Sequence, residues 1–240
     1  MIDLSIVLPC YNEANNIPII IERFLKVLPD DLKVEIVLVN NGSNDHSKVV
    51  FERELSRLKS HPFKVIDLPV NKGYGFGILS GLDQASGEVL AWTHADMQTD
   101  PGDVIRAYNQ FLNAKNGNVF VKGRRKKRAF LEVFFTFGMQ ILVWLILRQN
   151  LSDINAQPKV FSKRFYQDYL KKQSPYDFSL DLFAYYQAKK TLKIIEVPVY
   201  FKKRLHGIAK GGGSLKTRIK LIQRTLLYII KLKDKIKEQD

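Results

Sequence analysis

The segment from His94 to Asp100 carries the side chains best suited to chemistry. Asp96 and Gln98 are two residues apart, so in an extended segment both side chains point the same way and can share one ion. Oxygen ligands of this type suit Mg²⁺ or Mn²⁺ holding a diphosphate. A helix start at Asp100-Pro101 is the plainer alternative, and it accounts for Asp100 but not for Asp96. The spacing therefore predicts a divalent-cation site at Asp96 and Gln98.

Two other loops carry polar side chains directly after apolar runs. Residues 9–16 begin with Pro9 and include Tyr11, whose ring can stack on a nucleobase, and Glu13. Residues 40–45 begin with Asn40 and contain five polar residues and one glycine. Turns and helix caps are a sufficient explanation for each loop alone. Their repetition after successive apolar runs favours a shared binding site.

Two glycine-rich segments add candidate phosphate-binding groups. Residues 71–77 contain Lys72 and three glycines but match neither G-x-G-x-x-G nor the P-loop pattern, so a tight turn into a helix explains the glycines better. Residues 204–213 place Arg204 and Lys210 six residues apart on a glycine-rich loop. Two cations on such a loop suit a lid that grips phosphate, and a basic surface turn is the alternative.

These loops require a scaffold, and the apolar periodicity predicts one. Apolar runs alternate with helical patterns over short connections, which predicts an α/β fold with a mostly parallel, doubly wound sheet flanked by helices. The predicted strands are residues 4–9, 35–39, 63–68, 89–93, 118–122 and 194–201, and the predicted helices of the first half are residues 17–28, 47–58, 75–85 and 103–112. In such sheets ligands bind at the carboxyl ends of strands, where the polar loops lie.

Composition and charge limit the classes of protein that fit. A chain of 240 residues with 45% hydrophobic and 26% charged residues is globular rather than disordered or fibrous. Its single cysteine, Cys10, excludes an intramolecular disulfide within this sequence and fits a reducing compartment. Residues 1–120 carry a net charge of −4, whereas residues 121–240 carry +18. The basic half favours a polyanionic partner: nucleic acid, anionic lipid or a phosphorylated substrate.

Two segments of the basic half have the pattern of membrane-contacting helices. Residues 129–147 are long enough to span a bilayer, yet polar residues recur every fourth position from Arg128 to Gln140, which is typical of a helix lying in the interface. The tail, residues 214–237, carries apolar side chains, Ile229 among them, on one face and lysines and arginines on another. This pattern predicts a helix on an anionic membrane surface, and packing against the sheet is the alternative.

Taken in order, these motifs resemble those of family 2 glycosyltransferases with the GT-A fold, most closely the dolichol-phosphate mannose synthases and bacterial polyprenyl-phosphate glycosyltransferases. The resemblance runs from residue 6 to residue 210. The matching segments are V-L-P-C-Y-N-E at 7–13, N-K-G-Y-G at 71–75, A-D-M-Q-T-D-P at 95–101, Asp153 followed by Lys159, E-V-P-V at 196–199 and the lid from Arg204 to Lys210. Any one motif is only suggestive, whereas six in the same order are highly specific.

The chain departs from this family at several site positions. His94 stands where the family's metal motif usually begins with an aspartate, so His94 either joins the metal ligands or weakens the site. Asn40 and Asn41 replace a pair of aspartates, which removes negative charge near the nucleotide. Lys159 replaces an arginine, which exchanges a bidentate fork for a point charge.

The resemblance implies inverting transfer of a sugar from a nucleotide-diphosphate donor to a polyprenyl phosphate at the cytoplasmic face of a membrane. It implies donor binding by Pro9, Tyr11, Glu13, Asn40, Lys72 and Asp96, a Mg²⁺ or Mn²⁺ ion on Asp96 and Gln98, and catalysis by Asp96 together with the phosphate-positioning cations Arg125, Lys159, Arg204 and Lys210. Crossing the membrane at 129–147 would separate the metal loop from the lid. We therefore expect one catalytic domain, residues 1–212 with an interfacial helix at 129–148, and a basic tail helix at 213–240, attached peripherally or monotopically to anionic lipid.

Two rival functions remain open at this point. The first is transfer to a sugar hydroxyl of a glycan or lipid-linked oligosaccharide, which needs a general base, and Asp153 or Asp181 is the available candidate. The second is a non-catalytic protein that binds anionic lipid or nucleic acid. No recognised nucleic-acid motif is present in the sequence, so no nucleic-acid partner is expected.

Overall fold

The computed structural model describes residues 1–114, 117–127, 130–202, 204–206 and 215–237. Strands within these ranges form one seven-stranded sheet. They are β1 Leu4–Cys10, β2 Val34–Asn41, β3 Phe63–Leu68, β4 Val89–Trp92, β5 Val119–Lys126, β6 Lys159–Ser162 and β7 Lys193–Tyr200. Their order across the sheet is β3-β2-β1-β4-β6-β5-β7, which sets the carboxyl ends of β1, β2 and β4 side by side.

Helices cover both faces of this sheet. They are α1 Ile17–Val27, α2 Ser47–Ser56, α3 Tyr74–Asp83, α4 Gly102–Asn113, α5 Phe130–Leu147, α6 Lys163–Phe165, α7 Leu180–Thr191 and α8 Leu215–Lys237, and a π-helical turn, Tyr166–Leu170, continues α6. Successive residues of β1 alternate between two cores, because Ile6 and Leu8 pack with α1, α2 and α4 while Val7 packs with α3 and α7. Both faces of the strand are therefore buried, as its continuous apolar run predicts.

The predicted α/β fold is confirmed, with one strand missed. β1 pairs in parallel with β2 and β4, β2 with β3, and β5 with β7. β6 was not predicted; it lies antiparallel between β4 and β5. Its register sets Lys159 opposite Trp92 on one side and Lys122 on the other. The predicted strand at 118–122 is also longer, since β5 continues to Lys126 and carries Arg124 and Arg125.

The tail helix α8 packs on α5. Ile229 and Leu232 of α8 are buried in the same core as Val143 and Leu147 of α5. Of the two alternatives for this helix, packing applies at Ile229, because this side chain is buried in the core between the two helices. Among the side chains of the pair that the structure describes, the exposed large apolar ones are Ile141, Trp144 and Leu145 on α5 and Leu227 and Ile230 on α8. In the part of the chain that the structure describes, none of the helices combines the length and hydrophobicity that a membrane crossing requires.

Candidate active site

The loops after β1 and β2 are bonded to each other at the carboxyl edge of the sheet. The backbone N–H of Asn12 donates to Ser43 Oγ at 3.0 Å, and the side chains of Asn12 and Asn44 lie 2.6 Å apart, Nδ2 donating to Oδ1. Asn12 adopts a φ of 56°, a conformation that asparagine tolerates better than most residues. Tyr11 lies in the first of these braced loops, and Asn40 lies at the end of β2 opposite Cys10, so both predicted donor residues are at the same edge of the sheet.

A carboxylate lies beside Asn40 even though the family's aspartates are absent there. Asn40 Nδ2 donates to Asp67 Oδ1 at 2.6 Å, and the ammonium group of Lys48 lies 2.9 Å from Asp67 Oδ2. A negative charge is thus present near the end of β3. This strand is the neighbour of β2, on which Asn40 and Asn41 replace the family's two aspartates. Lys72, the other predicted donor residue of this region, is exposed and its ammonium group lies 5.2 Å from the centre of the Phe76 ring.

The predicted metal loop is bonded to the segment that follows β7. Asp96 Oδ1 accepts the backbone N–H of Gln98 at 3.1 Å, within a turn in which Met97 has a φ of 58°. The carbonyl oxygen of Gln98 accepts the N–H of Lys202 at 2.8 Å, and Gln98 Nε2 donates to the carbonyl of Lys202 at 3.3 Å. The loop that carries Asp96 is therefore bonded to the segment that leads into the predicted lid.

Asp100 has the structural role that its sequence position indicates. Its Oδ1 accepts the N–H of Gly102 at 2.8 Å, and its Oδ2 accepts a hydrogen bond from Arg23 Nε at 3.1 Å. Partial burial raises the pKa of Asp100, but the Arg23 and Gly102 hydrogen bonds outweigh this and hold the pKa below its usual value. Asp100 is therefore engaged at the start of α4, which leaves Asp96 as the carboxylate of the site.

Asp96 and Gln98 fit a cation that is shared with a phosphate ligand. Among the residues that the structure describes, no group of three or more His, Cys, Asp or Glu side chains is placed to hold an ion by itself. Gln98 Nε2 is directed to the Lys202 carbonyl, so its Oε1 is the atom that remains for an ion. Mg²⁺ is commonly held by one or two protein oxygens together with substrate phosphates, and this donor set matches that pattern.

The ring of His94 is packed in an aromatic stack. It lies 5.7 Å from the Tyr74 ring, which in turn lies 4.9 Å from the Phe178 ring. Burial lowers the pKa of His94, although the nearby charges of Asp96 and Asp181 oppose this effect. A neutral imidazole therefore takes the place of the family's carboxylate, and a role for His94 as a metal ligand stays a prediction.

Lys159 does not lie where a substrate phosphate could meet it. Its ammonium group is 2.7 Å from Asp181 Oδ1, and the side chains of both residues are buried. Asp181 also accepts hydrogen bonds from Trp92 Nε1 at 3.2 Å and from Gln157 Nε2 at 3.1 Å. The predicted contact between Lys159 and phosphate is wrong because β6, a central strand, directs this side chain into the core below α7. Asp181, in the same network, is not placed to act as the general base of the rival reaction.

Arg125, near the carboxyl end of β5, forms an ion pair with Asp153. Arg125 Nε donates to Asp153 Oδ1 at 2.8 Å, and the backbone N–H of Arg125 donates to Oδ2 at 2.7 Å. Burial raises the pKa of Asp153, but hydrogen bonds and charge from Arg125 hold it below its usual value. The Arg125 guanidinium also lies 5.5 Å from the centre of the Phe201 ring. Because Phe201 precedes Lys202, Arg125 is close to the loop that carries Gln98.

The start of the lid reaches the first loop of the site. Arg204 Nη2 donates to Glu13 Oε1, and the other oxygen of Glu13 accepts from Asn16 Nδ2 at 2.5 Å. Arg204 thus bridges the segment after β7 and the loop after β1. Lys210, predicted to be the second cation of the lid, lies outside the described residues, as does Arg128.

Sequence reasoning missed two buried residues beside the site. Lys122 is fully buried within β5, and Gln157 is fully buried while donating to both Asp181 and the hydroxyl of Tyr74. A signal for Lys122 was present, because a lysine inside the apolar run V-F-V-K needs an acidic partner. Gln157 was visible only as a departure from the family motif.

Comparison with known proteins places this architecture in a defined group. The model of the family described as Glycosyl transferase family 2 matches residues 5–170. An undecaprenyl-phosphate 4-deoxy-4-formamido-L-arabinose transferase of Pectobacterium atrosepticum is 26% identical over 229 residues, which covers 94% of this chain and 65% of that protein. The Proteus mirabilis protein of the same name is 31% identical over 128 residues, which covers 52% of this chain and 37% of that protein. A dolichyl-phosphate beta-glucosyltransferase of Trichomonas vaginalis is 27% identical over 240 residues, covering 94% and 73%. The chain thus spans less than two thirds of the length of the two bacterial relatives.

Solved structures confirm the predicted GT-A fold. Glucosyl-3-phosphoglycerate synthase from Mycobacterium tuberculosis, in complex with Mn²⁺, UDP and glucosyl-3-phosphoglycerate, matches with a TM-score of 0.70 at 14% identity, covering 96% of this chain and 79% of that one. A mannosyltransferase from Pyrobaculum calidifontis, in complex with GDP-Man and Mn²⁺, matches with a TM-score of 0.63 at 18% identity, covering 88% and 58%. At these identities the likeness concerns the fold alone.

Proposed function

Because this chain belongs to glycosyl transferase family 2, we propose that it transfers a sugar from a nucleotide-diphosphate donor to a polyprenyl phosphate, with inversion at the anomeric carbon. The observation that carries this proposal is that two arginines contact the segment bonded to the Asp96–Gln98 loop. Arg125 lies over the ring of Phe201, next to Lys202, whose N–H donates to the Gln98 carbonyl, and Arg204 lies two residues beyond Lys202. Two arginines beside a diphosphate-binding loop suit a second phosphate as acceptor. The names of the relatives, which are undecaprenyl-phosphate and dolichyl-phosphate transferases, support the same substrate class.

The donor half of the reaction uses the loops after β1, β2 and β4. Tyr11, on the braced loop after β1, and Asn40, at the end of β2, lie where a nucleobase and ribose would bind, and Asp96 and Gln98 would hold Mg²⁺ or Mn²⁺ on the diphosphate. When bound, such an ion stabilises the negative charge that develops on the leaving nucleotide. Mn²⁺ in both solved relatives supports a divalent cation here.

The acceptor half needs positioning more than proton transfer. An oxygen of the polyprenyl phosphate attacks the anomeric carbon, and the bond from this carbon to the donor diphosphate breaks on the opposite face. The attacking phosphate is already anionic, so no general base has to remove a proton from it. Arg125 and Arg204 hold the two phosphates close together in the orientation for attack.

Transfer to a sugar hydroxyl is less well supported by the same geometry. That reaction needs a carboxylate free to take a proton. Asp153 is held by Arg125, which keeps its pKa low, and Asp181 is buried against Lys159. A phosphate acceptor avoids this difficulty.

We further propose peripheral or monotopic attachment at the cytoplasmic face of the membrane. Exposed apolar side chains of α5 and α8 are accompanied by exposed cations: Arg148 follows α5 and lies 5.9 Å from the Trp144 ring, and α8 carries Arg224, Lys231 and Lys233. Apolar side chains bordered by cations suit an anionic lipid surface. Trp144→Glu should weaken sedimentation with anionic vesicles, whereas Val49→Glu, an exposed apolar position on α2, should not. Equal sedimentation of the two variants would refute attachment through this face.

The acceptor is tested with radiolabelled nucleotide sugars, Mn²⁺ and two acceptors. One reaction contains polyprenyl phosphate, and the other contains a lipid-linked sugar with a free hydroxyl. We expect labelled lipid in the first reaction only. Transfer to the lipid-linked sugar alone would replace the proposed acceptor, and transfer to neither with every donor would refute the proposed activity.

A further inference from the structure

A row of paired residues crosses the second half of the sheet next to the site. The register sets Trp92, Lys159, Lys122 and Glu196 side by side on β4, β6, β5 and β7. Residues paired in this way project to the same face of a sheet. Two lysines, both fully buried, are therefore neighbours on the face covered by α7.

Each buried lysine has an acidic partner. Lys159 lies 2.7 Å from Asp181, and Lys122 lies 3.1 Å from Glu196. Burial lowers the pKa of Lys122 to about 8, even though Glu196 raises it. These pairs explain how the charges are tolerated but not why lysines stand here, because apolar residues of similar volume often serve a core equally well.

A second contact of each lysine explains its place. Lys122 Nζ donates to the carbonyl oxygen of Ser152 at 2.9 Å, and Lys159 Nζ donates to the carbonyl oxygen of Ala156 at 3.2 Å. These two carbonyls stand at the two ends of residues 152–156, which we call the clamped segment. The clamped segment is therefore held at both ends by buried cations.

The clamped segment carries the partner of Arg125. Asp153 lies within it, at a φ of 46°, and both of its carboxylate oxygens accept hydrogen bonds from Arg125. The chain just beyond the segment also lies tightly against β5: a Cβ on Gly123 would be 2.0 Å from the carbonyl oxygen of Gln157, and the Gly123 N–H donates to the Pro158 carbonyl at 2.8 Å. Displacement of the clamped segment would thus displace the arginine.

We infer that Lys122 and Lys159 are positioning residues, which hold the clamped segment by its carbonyl oxygens and thereby fix Asp153 and the guanidinium group of Arg125 at the acceptor side of the site. Neither lysine touches substrate. The inference rests on the proposed function only for the identity of the phosphate that Arg125 meets.

The test measures amide hydrogen exchange and steady-state kinetics of Lys122→Met in the full chain. Two amides report on the clamp: the Ala156 N–H, which donates to the Asp153 carbonyl, and the Arg125 N–H, which donates to the Asp153 side chain. We expect both to exchange about tenfold faster or more, since the contacts that protect them loosen. We also expect kcat to fall by roughly a hundredfold while the donor KM stays unchanged.

The matched control is Lys64→Met. Lys64 also donates to a backbone carbonyl, that of Gln84 at 3.1 Å, but it is exposed and lies on β3. In this variant the amide hydrogens of Ala156 and Arg125 should exchange at the same rates as in the unmodified protein, and kcat should be unchanged. The same acceleration in Lys64→Met would show a general loss of stability and overturn the inference.

Unchanged exchange at Ala156 and Arg125 in folded Lys122→Met would also overturn it. If Lys122→Met does not fold, Lys122→Gln decides, because it removes the ammonium group that donates to the Ser152 carbonyl at 2.9 Å but keeps a polar side chain for Glu196. We expect severalfold faster exchange in that variant, and unchanged exchange refutes the clamp. Exchange needs no substrate, so a protein without polyprenyl-phosphate transfer but with the expected acceleration would refute the proposed function alone.

Discussion

The two halves of the sheet build their parts of the site in different ways. In the half formed by β3, β2, β1 and β4, the buried strand positions are mostly apolar, and the groups assigned to the site lie at strand ends or in the loops that follow, as with Asp96 and its turn. In the half formed by β6, β5 and β7, charged side chains lie inside the strands and pair with distant residues. Lys122 and Glu196, for instance, are 74 positions apart in the chain.

This difference separates binding from positioning. A partly exposed carboxylate at a strand end can bind a ligand and contributes little to packing. Its removal should therefore lower activity and leave the free energy of unfolding nearly unchanged. A buried ion pair holds neighbouring chain segments in place, and removal of one partner leaves an uncompensated charge in the core. Substitutions in the second half should therefore affect stability and activity together.

The largest effect is expected from Asp96→Ala. This change removes the carboxylate of the proposed cation site, and we expect transfer to fall by more than about a thousandfold. The free energy of unfolding should change by about 0.5 kcal/mol or less, because the side chain is partly exposed. Transfer assays with Mn²⁺ and urea unfolding measure the two quantities. Retained activity would contradict the metal site, and a large loss of stability would remove the contrast between the halves.

Lys159→Met tests the second half. It leaves Asp181 buried without its cation, and the loss of one partner from a buried pair typically costs about 3–5 kcal/mol. Urea unfolding should show this loss, and Lys159→Met combined with Asp181→Asn should recover part of it. Lys26→Met, which breaks the exposed pair with Glu22, should leave the unfolding curve unchanged. A small effect of Lys159→Met would mean that the second half does not depend on its buried charges.

The same contrast decides how much of the molecule the sequence could predict. β3 was predicted with its observed bounds, Phe63–Leu68, because a strand between turn residues is encoded locally. The spacing of Asp96 and Gln98 is likewise a local signal, and their role in holding a cation stays a prediction. β6 was missed because only two of its four residues, K-V-F-S, are apolar, whereas all four residues of β4, V-L-A-W, are apolar. The Lys159–Asp181 pair depends on how β6 inserts between two other strands, and local spacing carries no signal for that.

Asp153→Asn isolates the charge of the clamped segment. Asparagine tolerates the φ of 46° found at this position, so the backbone should stay in place while the ion pair with Arg125 is lost. A hydrogen bond to a charged group contributes about 1.5–3 kcal/mol, which corresponds to a fall in kcat of roughly ten- to a hundredfold. Donor affinity, measured by titration with the nucleotide sugar, should stay the same. A selective rise in the donor KM would instead place Asp153 on the donor side.

The smallest effect is a pH dependence of stability that only the second half should show. Burial lowers the pKa of Lys122 to about 8, below its usual value. Between about pH 8 and pH 10 the unfolded chain therefore holds a proton that the folded chain has released, so the free energy of unfolding rises with pH in this window. One such group contributes a slope of at most about 1.4 kcal/mol per pH unit. Lys122→Met should lose this contribution, whereas Lys64→Met, whose lysine is exposed on β3, should keep it. Urea unfolding of the three proteins at pH 7, 8 and 9 measures the slopes. Equal slopes in Lys122→Met and the unmodified protein would mean that Lys122 keeps its proton in the folded state. The charge of Glu196 would then raise the pKa of Lys122 by as much as burial lowers it.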